Sequence, residues 1–380
     1  MSKKNMQSIP ALDAAQLDNL AADLDKIRDA ALADVGEKDA RYMRRLIAFQ
    51  RSLEIIARIA LVGGLYHWAF WVFGAVALGV SKILDNMEIG HNVLHGQYDF
   101  MNDKNINSRN FDWDIVGDSG SWKRVHNYEH HTYTNILGKD RDFGYGLLRL
   151  SSDYAWRFKN LFQFGTYFIL SSLFQWGVAF HELAAERVYL GKKRADRTSP
   201  LSDEALKKMF FGKAGRQLFK DYIFYPLICF PAFVPVLLGN FVANFIRNWW
   251  TSTIIFCGHF TDGVHIFSEE DCKNESRGHW YFRQMLGSSN LTGRKWFHIM
   301  TGHLSCQVEH HLFPDVPAWR YRAMVPQVQA IAAKYGIPYN IDSFPKQYWT
   351  VLKRIAKYSL PMKDGQKITR LPEVALQKAA

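Results

Sequence analysis

The sequence predicts a mainly α-helical membrane protein, with about four transmembrane helices and a cytosolic helical cap. Three observations predict it. Long, nearly uncharged apolar stretches alternate with strongly basic segments. Those stretches match the ~20 apolar residues that a helix needs to cross the hydrocarbon core. Seven of the 14 histidines fall into three tight groups that flank the apolar stretches on one side.

Taken in order, residues 1–45 form a charged, helix-prone segment without the apolar core of a signal peptide, so they are expected to stay in the cytosol. The first apolar stretch, Ile55 to Ile83, can make one crossing, or two if its upstream helix is partly immersed. The second, Asn160 to Phe180, is uncharged but carries Gln163, Ser171, Ser172 and Gln175. The third, Tyr222 to Cys257, is long enough for two slightly short crossings, with Gly239-Asn240 as the turn. Between the second and third lie Arg187, Lys192, Lys193, Arg194, Arg197, Lys207, Lys208, Lys213, Arg216 and Lys220. Such basic segments remain cytosolic. The second stretch is therefore expected not to cross but to form an interfacial or core helix. Alternatively, it crosses outward and Tyr222–Phe245 crosses back. Both schemes return the chain to the cytosolic side by Cys257.

Arg247 falls inside the last span, where a charge must face the bundle interior or a wet cavity. Pro226, Pro231 and Pro235 are expected to kink the third stretch. No Gly/Ser/Pro-rich linker divides the chain, so residues 46–360 read as one catalytic unit and 361–380 as a basic tail.

Composition narrows the function. A mean hydropathy of −0.20 suits a few spans joined to a large aqueous part. The net charge of +11 comes without a nucleic-acid-binding motif, so nucleic acid is not an expected partner. A positive face beside a membrane would serve membrane lipid, an acidic electron donor or a phosphorylated substrate. The four cysteines (Cys229, Cys257, Cys272, Cys306) form no CxxC pair, which argues against a disulfide framework, a zinc ribbon and an intrinsic iron–sulfur cluster.

The histidines carry the chemistry. HNVLH places His91 and His95 four apart; HNYEHH places His126, His130 and His131 at i, i+4 and i+5; QVEHH places Gln307, His310 and His311 at i, i+3 and i+4. Residues three and four apart share a helix face, so each group can aim its imidazoles at one point. A lone histidine is usually a surface or core residue, but three such groups on one side of a membrane form a site. Imidazole suits Zn, Cu, Fe and Ni. Seven imidazoles and a glutamine are about twice what one ion uses, since a closed zinc site takes four ligands. Two ions are indicated, and without a cysteine ligand a di-iron centre for O₂ is favoured. Asp85, Glu88, Asp142 and Asp262 are carboxylates that could orient the ligand imidazoles. Glu129 and Glu309 sit within the groups but are expected to point away. His67 reads as a buried histidine of the first stretch, and His181 and His265 as peripheral.

At these residues the chain resembles the integral-membrane fatty acid desaturases. GHNVLHG, HNYEHHTYTNI and GHLSCQVEHHLFPDVPAWRY correspond to the family's three histidine boxes, and the leading Gln307 is similar to the front-end and linoleoyl-type branch. NMEIGHNVLHGQYDFMND, KAGRQLFKDY, IRNWW and FCGHFTDG are similar to bacterial acyl-CoA Δ9-desaturases of the mycobacterial stearoyl-CoA type. The resemblance extends from about Asp39 to Leu360. It implies two Fe²⁺ ions, O₂ as cosubstrate and two external electrons, which together remove hydrogens from adjacent methylenes to leave a cis double bond and water. It implies a long-chain acyl-CoA or lipid-linked acyl substrate in a dry tunnel. It also implies a bacterial inner-membrane location with the site facing the cytosol.

The same resemblance makes His259, in FCGHF, a further metal ligand, and gives His303, in GHL, a place behind the ligands. Relatives with a fused cytochrome b5 domain carry HPGG, which does not occur here, so a separate reductase or ferredoxin is expected to supply electrons. Ser305 stands where relatives have Asn, so no role is carried over to it. Trp122, Lys123 and Arg124, ahead of the second box, could meet a CoA phosphate or the donor protein; a solvated or headgroup-facing surface is the alternative. A hydroxylase or ketolase acting on another lipid would use the same boxes. A zinc-dependent lipid hydrolase would leave half of the histidines unexplained, and a metal transporter would place its ligands at mid-bilayer depth.

Overall fold

A computed structural model describes residues 9–183 and 201–362. Arg187, Lys192, Lys193, Arg194, Arg197 and most of the basic tail lie outside the described residues. The protein is mainly helical; its strands β1 (Asn290–Thr292) and β2 (Ile341–Ser343) form a short parallel pair.

The first apolar stretch belongs to a helical hairpin. Helix α2 (Glu37–Gly63) turns back through residues 64–67 into α3 (Trp68–Ile83), which continues as a π-helix to His91 and ends at Leu94. His67 is not buried. It is the exposed N-cap of α3, and its Nδ1 accepts from the Ala69 N–H at 3.1 Å. Capping draws a polar side chain to the helix end even inside an apolar stretch. The second stretch breaks at Leu173 into α4 (Gln163–Ser172) and α5 (Phe174–Glu182), each too short to span a bilayer.

The third stretch differs from expectation. The Gly239-Asn240 turn does not form. The chain instead runs as a helix from α6 (Asp203–Phe219) through a π-turn (Lys220–Phe224) to Ile228, and breaks at residues 229–232. It then continues unbroken as α7 (Phe233–His259). Gly239 serves packing: a Cβ there would lie 2.3 Å from Leu61 Cδ2. At Gly74 a Cβ would meet the Leu61 N at 2.7 Å, so two glycines let α2, α3 and α7 approach closely. Pro235 sits in the first turn of α7 and Pro231 in the break, whereas Pro226 lies within the continuous Asp203–Ile228 helix, two residues past the π-turn.

Among the described residues, Trp68–Leu94 is the one helix both long and apolar enough to cross a membrane. Asn240, Asn244, Arg247 and Asn248 dilute the apolar character of α7, yet all four are buried. Large apolar side chains stand exposed on the outer faces instead: Phe49, Ile55 and Ile59 on α2, Phe70 and Phe73 on α3, Leu238 and Phe241 on α7.

The N-terminal helix α1 (Ala14–Ala33) opens with a capping box between Asp13 and Gln16. It lays Leu17, Leu20, Leu24 and Ile27 into the same core as α8 (Arg277–Leu286) and α10 (Tyr321–Lys334). Helix α2 passes residue 45 without a break, so no structural boundary falls there. Helix α11 (Phe344–Ser359) packs on α4 and α7 and closes the cap.

Candidate metal centre

Two of the histidine groups sit on π-wound helix. In an α-helix residues i and i+5 point about 140° apart, at 100° per residue, so His126 and His131 would diverge. The segment Lys123–His130 is a π-helix, whose i→i+5 period brings them together. The same winding over Leu84–His91 delivers His91 at the end of α3. The third group lies on α9 (Gln307–Leu312), and His259 closes α7 beside it.

All of these side chains converge. Ligand atoms of His91, His95, His126 and His310 lie within 4.8 Å of one another, and those of His130, His259 and His311 do likewise. His259 Nε2 is 3.3 Å from His130 Nε2, 3.1 Å from His311 Nε2 and 2.9 Å from the Gln307 amide. His91 Nε2 and His126 Nε2 are 3.4 Å apart. His131 stands between the two groups, stacked on His311 at 4.4 Å and edge-on to His310 at 4.8 Å. Among the described residues, both nitrogens of His131 and of His310 are buried without hydrogen-bond partners. Two nitrogens each about 2.1 Å from one ion lie about 3.0–3.4 Å apart for octahedral or tetrahedral angles. The observed separations fit that spacing, and the unpartnered nitrogens supply the donors that a pair of ions needs.

Behind the imidazoles stands a set of acceptors. His130 Nδ1 donates to Asp140 at 3.1 Å, His91 Nδ1 to Asn92 at 3.1 Å, His259 Nδ1 to the Gly287 carbonyl at 3.3 Å and His311 Nδ1 to Gln284 at 3.1 Å. With Nδ1 engaged, Nε2 faces the centre as a neutral donor, the arrangement of metal-binding histidines. Burial and neighbouring imidazoles hold His131, His310 and His311 well below the usual imidazole range. Burial opposes charge at His130 too, but the Asp140 and Asp142 carboxylates raise it. Asp142, despite burial, is held well below the usual carboxylate range by the His126 and His181 imidazoles beside it.

Of the carboxylates expected behind the imidazoles, Asp142 lies 3.5 Å from His126 Nδ1 and 3.2 Å from His181 Nε2. Glu88 instead accepts from His303 Nδ1 at 2.8 Å and from the Tyr42 hydroxyl at 2.5 Å. Asp85 accepts the Asp114 N–H at 3.0 Å, away from the histidines, and Asp262 takes part in a turn with Thr350 and Asn340. Sequence reasoning missed Asp140, Asn92, Gln284 and the role of His181. The run KDRDFG after the second box was the available signal for Asp140.

Glu309 points away, as expected, toward Asn290 and Tyr339, and burial pushes its carboxyl up to about 7. Ser305 meets His298 Nδ1 at 2.7 Å, outside the centre. Trp122 is buried, stacked on His126 at 4.5 Å, and lines the cavity beside the histidines. Lys123 donates to the Ser108 carbonyl and Arg124 to the Glu182 carbonyl, and both remain half-buried.

His91, His126, His130 and His259 also line a cavity. It runs between α5 and α7 past Met87, Phe174, Val178 and Ile255, an apolar wall suited to a hydrocarbon chain.

The comparisons agree with this centre. Residues 66–343 match the family model for fatty acid desaturase. The chain is 45% identical over 359 residues to a Mycobacterium tuberculosis protein named NADPH-dependent stearoyl-CoA 9-desaturase, covering 93% of this chain and 82% of the relative. It is 25% identical over 293 residues to the sn-1 linoleoyl-lipid 6-desaturase of Synechocystis, covering 72% and 79%. With its converging histidines and its apolar cavity, this chain belongs to the fatty acid desaturase family.

Proposed function

We propose that the protein is a di-iron, O₂-dependent acyl-CoA desaturase that introduces a cis double bond at Δ9 of a long-chain acyl group. The observation that carries this reading is the pair of inward-facing imidazole groups at the head of an apolar cavity. His91, His95, His126 and His310 would hold one iron; His130, His259, His311 and Gln307 the other; His131 lies in reach of both. When bound, the irons supply the oxidation of the hydrocarbon by O₂. The protein's own part is to aim the Nε2 lone pairs, through the Nδ1 contacts to Asn92, Asp140, Gly287 and Gln284, and to keep water from the acyl chain. The 45% identity to a stearoyl-CoA 9-desaturase supports the acyl-CoA substrate and the double-bond position.

Four long helices serve as the spans in this reading: α2 beyond residue 45, α3 with its π-wound extension, Asp203–Ile228, and α7. His91 and His259 both end spans, which puts the irons on one face, taken as the cytosolic face of the inner membrane. Residues 1–45 then belong to the cytosolic cap, and electrons come from a separate reductase or ferredoxin. Expression in a host without desaturases, with mass-spectrometric location of new double bonds, tests the reading; saturated lipids alone would reject it, and hydroxylated ones would favour a hydroxylase.

A further inference from the structure

We propose that Arg247 is the polar stop of the acyl channel and sets the longest chain the enzyme accepts; this rests on the desaturase reading above. The cavity follows one face of α7 through Arg247, Thr251, Ile255 and His259, each four residues from the next. At 1.5 Å per residue, Arg247 lies about 18 Å from His259 along the helix. The facing wall on α5 rises in the same step, through Phe174 and Val178.

The wall changes chemistry at the Arg247 end. Asn86, Gln175, Asn248 and Thr251 line the cavity there, beyond the apolar stretch of Met87, Phe174, Val178 and Ile255, while the histidines, Asp140, Asp142 and Gln307 line its other end. Arg247 is 1% exposed. Its Nε donates to Asn248 Oδ1 at 3.1 Å and its Nη2 to Asn244 Oδ1 at 3.1 Å. Its Nη1 is buried and has no partner among the described residues. Of the nearby acids, Asp221 Oδ2 and Asp114 accept from Lys82 at 2.9 and 3.3 Å and Lys220 pairs with Asp114, while Asp221 Oδ1 is buried and, among the described residues, makes no hydrogen bond, to Arg247 or to any other group.

A guanidinium cannot shed its proton inside a protein, and a buried donor left unpaired is costly. Nη1 therefore keeps a hydrogen-bond acceptor in the channel. A methyl terminus cannot replace that acceptor. A chain that stops short leaves the polar end intact, whereas one that reaches Arg247 strips it.

The test is binding of a graded series of saturated acyl-CoAs to metal-free protein in detergent, together with the chain-length profile of products from the iron-loaded enzyme. Wild type should bind progressively tighter with length and then weaken sharply. Arg247→Met should move that limit to chains at least two carbons longer and tighten the first rejected chain by about tenfold or more. Arg247→Lys, which keeps a buried donor, should retain the wild-type limit. Thr251→Leu, one turn nearer the irons, should shorten it. An Arg247→Met protein that binds acyl-CoA with the wild-type profile would overturn the proposal while leaving the desaturase reading intact. Failure of wild type to bind any acyl-CoA would remove both.

Discussion

Replacing His259 with alanine removes one member of a tight group. Its Nε2 is within 3.3 Å of His130 and His311 nitrogens and 2.9 Å from the Gln307 amide, and the residue is buried. Without it the proposed second iron would keep only His130, His311 and Gln307, and a void would replace the imidazole. Changing a residue that merely orients a ligand lowers metal affinity by about 10–100-fold. Losing the ligand should cost more than about 100-fold, or more than about 2.7 kcal/mol. The first group does not include His259, so its iron should stay. The assay is iron per chain after dialysis against a competing chelator, followed by turnover with acyl-CoA. The expected result is a fall from two irons toward one, with activity lost. His181→Ala should show a smaller, 10–100-fold effect, because His181 acts on Asp142 and only through it on His126. His67→Ala, at the exposed cap of α3, should keep both irons. Two irons and near-normal turnover in His259→Ala would refute the assignment.

Other perturbations separate the layers of the centre. Asp140→Asn should weaken iron retention by about 10–100-fold through His130, read by chelator titration. Gly258→Ala should also lower iron content, since the new Cβ would stand 2.9 Å from Gln307 Cδ and push that side chain from the centre. Asp39, buried, accepts from Arg320, Trp319 and the Gly36 N–H; burial opposes its charge, but these bonds hold its carboxyl below the usual range. A depressed folded pKa gives stability that is present above about pH 4 and lost as pH falls through the folded value. Asp39→Asn should therefore be less stable at neutral pH and flatter on the acid limb, by thermal melting at several pH values. Purified protein given NADPH alone should not turn over, and a reductase or ferredoxin should restore activity; turnover without either would show an internal redox site.

Much of the site was legible because imidazole spacing is a local property. HNVLH, HNYEHH and QVEHH declare their groups without reference to the fold. The π-winding was not legible: i, i+4, i+5 looks like an imperfect α-helical face, and only the wider period brings His131 beside His126. Asp140 and Asn92 were hidden for a different reason. A group that accepts from Nδ1 need only lie near in space, and acids beside histidines are common in any sequence. The turn expected at Gly239-Asn240 failed because glycine has two uses. It permits a turn, but in an apolar stretch it also lets helices touch, and here Leu61 occupies the space that a side chain would take. Arg247 was read correctly as a charge that must face inward; its companions Asn244 and Asn248, three and one residues away, become visible as partners only once α7 is seen unbroken.

The central claim is that the two imidazole groups hold two irons that oxidise an acyl chain with O₂. The most direct measurement combines metal analysis with product analysis on one purified sample. Iron-loaded protein is given stearoyl-CoA, an electron donor system and air, and the double bond is located by mass spectrometry. The account predicts two irons per chain, a cis bond at Δ9, and no product under argon. One zinc per chain with full activity under argon would contradict it.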